Sequence, residues 1–279
     1  MNLRVRTKRI RRLVGRAIGD FGLIESHDRI LIGLSGGKDS WTLLTLLDDL
    51  RLRAPVPFTL IAVTVHPGFP GFHTVGIESY LRDHGHDFRI LHAPVHDLLL
   101  EKLRPDETPC ALCARIKRGV LYSAAVQLGC TKIALGHHRD DFIETLLLNL
   151  FFNGKVKAMA PLLHSDDGRN KVIRPLVYVP EDEISRYAVE AGLPVTCCAC
   201  PACGDPDQKR TQMKRLLAGL ERSHPGIKAS LLAALGSVEH RHLFTAGTVG
   251  RGAAREGDSI SSQAVLHGSP RRQGVRASP

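Results

Sequence analysis

The apolar run Ile30-Leu31-Ile32-Gly33-Leu34 is followed at once by Ser35-Gly36-Gly37-Lys38-Asp39-Ser40, and then by leucines at helical spacing, Leu43, Leu46 and Leu47. A buried strand, a tight glycine loop and a helix in immediate succession restrict the chain to an α/β architecture. Two adjacent glycines let the backbone turn sharply and come close to an anion. The N–H groups of the loop and of the following helix point at that anion, and Lys38 adds a full positive charge. The expected guest is a nucleotide. A Walker loop is excluded, because it needs a glycine separated by four residues from Gly-Lys and a Ser or Thr after the lysine, where this chain has Ile32 and Asp39.

The alternation continues along the chain. Strands are expected over residues 29–34, 60–65, 88–91 and 132–135, and helices over 75–84 and 114–128, which together predict a doubly wound parallel sheet covered on both faces. Ligands of such sheets sit at the carboxyl ends of the strands, so the loops after Leu34 and Leu135 are expected to share one site. Beyond Phe152 the pattern predicts a loop, a short strand near 171–174, a helix over 181–191, and terminal helices near 211–220 and 226–238. From about Gly247 the chain is Gly, Ser, Ala and Arg with little apolar content. The expected organisation is a single domain over 1–245 and a disordered basic tail over 246–279.

At 279 residues and 43% hydrophobic, the chain can bury one sizeable core. A formal charge of +10 points to an extended polyanionic partner, with RNA first among them, although aromatics at 5% offer few stacking platforms for bases. Ile10, Leu13, Val14, Ala17, Ile18 and Phe21 recur at helical spacing while Arg4, Arg6, Lys8, Arg9, Arg11 and Arg12 crowd the beginning, so a basic amphipathic helix is expected there. Arg12 and Arg16 interrupt any signal-peptide core, and the longest apolar segment, 146–152, is broken by Asn149 and too short for a bilayer. A cytoplasmic protein without a membrane partner is expected. Seven cysteines in such a chain argue for metal or sulfur chemistry rather than a disulfide framework.

Two constellations carry that chemistry. Gly136-His137-His138-Arg139-Asp140-Asp141 places adjacent carboxylates at the start of a helix. Capping accounts for one of them; the other, Asp141, is placed with Asp39 to hold Mg²⁺ against a triphosphate. Cys110 and Cys113 stand at a helix start beside Arg115, Lys117 and Arg118, a setting that lowers thiol pKa values. Cys197, Cys198, Cys200 and Cys203 supply a second CxxC with two extra thiols. The pair of motifs signals a metal, with structural zinc and an iron–sulfur cluster both open. Cys130, alone before an apolar strand, reads as a core residue.

SGGxDS after a strand resembles the pyrophosphate loop of the ATP pyrophosphatases, which split ATP into AMP and pyrophosphate. The order of Leu34–Ser40, Cys110-Ala111-Leu112-Cys113-Ala114-Arg115-Ile116-Lys117-Arg118-Gly119, Ile133–Asp141, Ile173-Arg174-Pro175-Leu176 and Cys200-Pro201-Ala202-Cys203-Gly204 resembles the tRNA 2-thiocytidine synthetases. Phe151–Lys157 and Ser165-Asp166-Asp167-Gly168 are similar to that family's linking segments. The resemblance implies an adenine nucleotide alpha hydrolase-like fold and ATP-dependent thiolation of tRNA cytidine 32 in the anticodon loop. Its C2 oxygen is adenylated and AMP is then displaced by sulfur, with ATP, Mg²⁺ and a [4Fe–4S] cluster as cofactors. It assigns nucleotide binding to Ser35, Gly36, Gly37, Lys38, Asp39, Ser40, Gly136 and His137, and catalysis to Lys38, Asp39 and Asp141. Cys110, Cys113 and Cys203 become the cluster ligands, with Cys200 the alternative third. The expected partners are tRNA and a cysteine desulfurase or other sulfide source, and a homodimer is compatible with the family. Thiolation of a tRNA uridine, or RNA binding around a structural zinc or redox-sensing cysteine cluster, are the competing functions. The chain departs from the family in the abbreviated His66-Pro67-Gly68-Phe69-Pro70 segment and in the extra Cys197 and Cys198.

Overall fold

A computed structural model describes residues 2–102, 109–196, 199 and 208–243. Its six strands are β1 (Asp28–Gly33), β2 (Phe58–His66), β3 (Phe88–His92), β4 (Lys132–Ala134), β5 (Leu162–His164) and β6 (Lys171–Ile173). They form one sheet in the order β3-β2-β1-β4-β6-β5. β1 lies parallel to β2, with Asp28 opposite Phe58 and Gly33 opposite Val63, and parallel to β4, with Ile30 opposite Lys132. β3 and β6 extend the parallel array, and β5 closes one edge antiparallel to β6. Before, between and after the strands run α1 (Leu3–Phe21), α2 (Lys38–Arg51), α3 (Val75–Asp83), α4 (Val95–Lys102), α5 (Pro109–Gln127), α6 (Arg139–Asn153), α7 (Glu181–Glu190), α8 (Lys209–Ser223) and α9 (Ile227–Ala234).

The period of two along each strand divides the core. Leu31, Ile61, Val63, Ile133 and Val172 face Ala124 and Ala125 of α5. Ile30, Ile32, Ala62, Ala134 and Ile173 face the other way, into a larger core with Ile10 and Val14 of α1, Leu43 and Leu47 of α2, and Ile184 of α7. Both faces are covered, so the sheet is the doubly wound α/β architecture that the alternation predicted. α6, α8 and α9 pack on each other through Ile143, Leu147, Met213 and Leu217.

The differences from the sequence reading have local causes. β5 was not expected: three residues long, it is one arm of a hairpin whose turn at Gly168 (φ +70°) is closed by Ser165 and Asn170. α4 was not expected either. α5 begins at Pro109, five residues before the expected start, because a proline is tolerated where a helix's first N–H groups have no internal partner. Cys110 therefore lies in its first turn and Cys113 at the start of its second. α9 ends at Ala234, short of the expected 238.

The cations of α1 are divided. Arg6 is 3% exposed, with Nη1 2.7 Å from Glu183 and Nε 3.0 Å from Glu190. Arg9 reaches Glu183 at 3.4 Å, and Arg11 reaches Asp49 of α2 at 2.7 Å. These three dock the helix on α7 and α2; Arg4, Lys8 and Arg12 stay exposed. Met1–Leu235 forms one compact unit, and Gly236 begins another, of which residues 236–243 are described, with a 3₁₀ turn at His240–His242. The expected tail, 246–279, lies outside the described residues. No described helix is long and apolar enough to cross a membrane.

Candidate active site

Strand order reverses between β1 and β4, and the loops that leave their carboxyl ends lie side by side at that switch point. Leu34 continues the β1 ladder by donating its N–H to the Val63 carbonyl, and Leu135 continues β4 by donating to Ile173. The Ser35–Ser40 loop is tied internally. Ser40 Oγ accepts from the Ser35 N–H at 3.2 Å and donates to the Gly37 carbonyl at 2.9 Å, while Ser35 Oγ accepts from the Gly37 N–H at 3.3 Å. Gly36 is left-handed (φ +84°) and its carbonyl accepts from the Thr196 N–H at 2.8 Å. The first turn of α2 has no side-chain cap, which leaves backbone donors and the positive end of the helix dipole for an anion.

A cavity of about 300 Å³ opens at this point, lined by Ser35, Asp39, Ser40, Gly136, His137 and Asp141 on its polar side and by Val63, Val65, Phe72, Leu121 and Leu135 on its apolar side. The apolar wall suits a flat base and the polar wall a phosphate chain. Asp39, in the first turn of α2, and Asp141, in the first turn of α6, converge on one imidazole. His138 Nε2 stands 3.7 Å from Asp39 and 3.5 Å from Asp141. Asp141 also accepts the His138 N–H at 3.0 Å, so it caps α6 and lines the cavity at once. Asp140 turns away. It is buried, bonded to Lys228 Nζ at 2.6 Å and to the Glu181 N–H at 2.9 Å. Burial alone would raise its pKa, but Lys228, the Glu181 N–H and Arg139 hold it down to about 2. Of this acidic pair, Asp140 is structural, and Asp141 faces the cavity while capping α6.

Lys38 leans over Asp39 and Glu181, its Nζ at 2.9 and 3.2 Å. Lys117 of α5, for which the sequence reading assigned no role in the nucleotide site, lines the cavity instead. It follows Cys113 by four residues, so the helical spacing carried the signal. Arg174 was likewise missed as a site residue. Its Nε–H donates to His137 Nδ1 at 3.2 Å and its Nη1 to the Ala160 carbonyl. Burial, with Arg174 beside it, lowers the His137 pKa to about 4, so the ring is neutral with its proton on Nε2. Glu144, three residues beyond Asp141 on α6, is buried with Arg210 Nε 3.4 Å away, and burial pushes its carboxyl up to about 7.

Among the described residues no three His, Cys, Asp or Glu side chains form a metal cage. Two converging carboxylates beside a phosphate loop nevertheless fit Mg²⁺, which takes one or two protein carboxylates and completes its shell with phosphate oxygens and water. Cys110 is exposed and Cys113 half-buried near the start of α5. Cys113 and Lys117 are one turn apart on the same helix face. Gln208, five residues after Cys203, returns to Cys110, its Nε2 3.8 Å from Sγ. Thiolate donors at a helix start beside cations fit an iron–sulfur cluster. Cys197, Cys198, Cys200 and Cys203 lie outside the described residues. Cys130 is partly buried against the α5 side of the core, and burial raises its thiol pKa.

The fold and loop define a PP-loop protein: residues 6–196 match the family described as the PP-loop domain. Curated tRNA-cytidine(32) 2-sulfurtransferases from Geobacter sulfurreducens and Geobacter metallireducens are 54% and 53% identical, each over 86% of this chain and 93% of the relative. Among solved structures, the U34-tRNA thiolase NcsA from Methanococcus maripaludis with its [4Fe-4S] cluster is 29% identical with a TM-score of 0.69, over 83% of this chain and 78% of that one. The chain belongs to the tRNA-cytidine(32) 2-sulfurtransferase family of PP-loop transferases.

Proposed function

We propose that this enzyme uses ATP to convert cytidine 32 of tRNA to 2-thiocytidine in the cytoplasm. The carrying observation is that Cys113 and Lys117 share one face of α5, so the helix that lines the nucleotide cavity also carries the thiols. The C2 oxygen of cytosine is a poor leaving group. Attack of that oxygen on the α-phosphorus of ATP forms a C2–O–P bond and releases pyrophosphate; attack of sulfur at C2 then releases the oxygen as part of AMP.

The chain's own groups meet the needs of the first step. The Ser35–Ser40 loop and the uncapped N-terminus of α2 bind the departing pyrophosphate, with Lys38 beside it. Lys117 sits in the cavity where charge develops on the transferred phosphate. Neutral His137, held by Arg174, offers an N–H donor rather than a second cation. Asp39 and Asp141 would hold Mg²⁺, which neutralises phosphate charge when bound. Cys110, Cys113 and Cys203, with Cys200 the alternative third donor, would hold a [4Fe–4S] cluster, which when bound supplies an iron with an open position for sulfide. Sulfur comes from a cysteine desulfurase or from free sulfide.

The structural relative NcsA is named for U34, so thiolation of a uridine is the second reading, while the relatives at about half identity are named for cytidine 32. Anaerobically prepared enzyme, ATP, sulfide and a tRNA transcript separate them. The expected result is AMP and 2-thiocytidine from a transcript with cytidine at position 32 and no thiolation when that base is changed to uridine. Thiolation confined to a uridine would overturn the assignment.

A further inference from the structure

Two phenylalanines stand at the end of α6 where a folded chain would ordinarily bury them. Phe151 is 58% exposed and Phe152 42%, and Val156 beside them is 64% exposed. Lys155 and Lys157 are exposed on the same turn, and Lys209 of α8 holds its Nζ 4.8 Å from the Phe152 ring. The segment Leu150–Lys157 contains no acidic residue.

The backbone beneath the rings is fixed. Gly154, left-handed at φ +59°, donates its N–H to the Asn149 carbonyl, and the Lys155 N–H reaches the same carbonyl at 3.0 Å. Asn149 Nδ2 donates to the carbonyls of Thr145 and Lys157, both at 2.9 Å. A braced turn therefore presents the rings and ammonium groups to solvent.

The patch is also tied to the active site. α6 carries Asp141 in its first turn and Phe151 ten residues on, a rise of ~15 Å at 1.5 Å per residue. That span corresponds to about four nucleotides stacked at ~3.4 Å each. On the other side, Gln208 touches Cys110 while its neighbour Lys209 touches Phe152. The start of α8 thus links Cys110 to Phe152.

Exposed rings edged by ammonium groups fit a polyanion with flat apolar faces. A protein interface of this size would be depleted in lysine at its centre, whereas unpaired bases stack on aromatic rings while lysines track the phosphates. We infer that Phe151 and Phe152, flanked by Lys155, Lys157 and Lys209, are a stacking platform for unpaired bases of the substrate RNA loop, a few nucleotides from the base that is modified. This rests on the tRNA reading above.

Anisotropy titrations of the full chain with a labelled anticodon stem-loop RNA test it. F151L/F152L keeps apolar volume and removes the aromatic faces; it should weaken binding at least tenfold at fixed salt, and F151W/F152W should bind within about twofold of the unaltered protein. K155A/K157A should flatten the dependence of log Kd on log salt by 1 to 2 units. ATP affinity should be unchanged in all three, which shows the cavity to be intact. Binding by F151L/F152L equal to that of the unaltered protein, with ATP affinity preserved, overturns the platform while leaving the tRNA reading in place. Failure of the unaltered protein to bind the stem-loop overturns both. A dimer in sedimentation that F151L/F152L dissociates without changing RNA affinity makes the patch an interface between copies and also overturns the inference.

Discussion

Gly136 and Asp39 meet backbone to backbone: a Cβ on Gly136 would stand 2.9 Å from the Asp39 carbonyl carbon and 3.0 Å from both its oxygen and the Ser40 nitrogen. The two loops of the active site are thereby held at a separation only glycine allows. Gly136→Ala must push the start of α2 away from the loop after β4 and misplace Asp39 against Asp141. AMP formation should fall at least tenfold, since displacements well under 1 Å at a reacting centre are costly, while the melting temperature changes by only a few degrees. Unimpaired AMP formation in a folded Gly136→Ala enzyme would contradict this close approach.

Asp140 and Asp141 are neighbours with separate duties. Asp141→Asn should abolish tRNA-dependent AMP formation, by 100-fold or more, with thermal stability nearly intact, because only a cavity charge is lost. Asp140→Asn should instead destabilise the protein by about 2 kcal/mol, leaving Lys228 without its buried partner. The Asp140 pKa is depressed, so its contribution is complete above about pH 4 and is lost as pH falls through about 2. Denaturation profiles across that range should be shallower for Asp140→Asn. The reverse pattern, a stable inactive Asp140 variant and an unstable active Asp141 variant, would refute the division.

Glu144 has the opposite sign. Its carboxyl is raised from 4.5 to about 7, so the folded protein binds the proton more tightly than the unfolded chain. The stabilisation is full below pH 4.5 and disappears as pH rises through 7. Relative to Glu144→Gln, the unaltered protein should therefore lose up to about 3 kcal/mol between pH 5 and 9. Urea titrations of both proteins across that range measure it, and a pH-independent difference would show that Glu144 is not held protonated.

The basic helix supplies a stability contrast. Arg6→Ala leaves Glu183 and Glu190 without their shared guanidinium and should cost about 3 kcal/mol. Arg12→Ala, on the exposed face of the same helix, should cost less than about 0.5 kcal/mol. Equal Tm shifts in the two variants would mean that the buried pairs do not anchor α1.

Local chemistry made the two loops legible. Glycines beside charged residues after apolar strands announce tight loops at the strand ends, so the turns at Ser35–Ser40 and Gly136–Asp141 could be read without the fold, as could the parallel, doubly covered sheet. Tertiary facts were not legible. Asp141 could be singled out from its place beside the glycine loop, but nothing in adjacent residues announced the buried pairing of Asp140, whose lysine lies 88 positions away. The charge run of α1 hid Arg6 among cations that stay in water. Arg174 became a site residue only because β6 ends beside the loop after β4, and the exposure of Phe151 and Phe152 follows from where α6 ends. For Lys117 the signal was present, four residues from Cys113 on one helix face.

Nucleosides from tRNA of a strain lacking this gene, resolved by mass spectrometry beside those of the parent strain, test the identity of the modified base most directly. 2-Thiocytidine should disappear, return when the gene is restored, and not return with the Asp39→Ala form. Intact 2-thiocytidine with loss of a thiouridine would contradict the cytidine assignment.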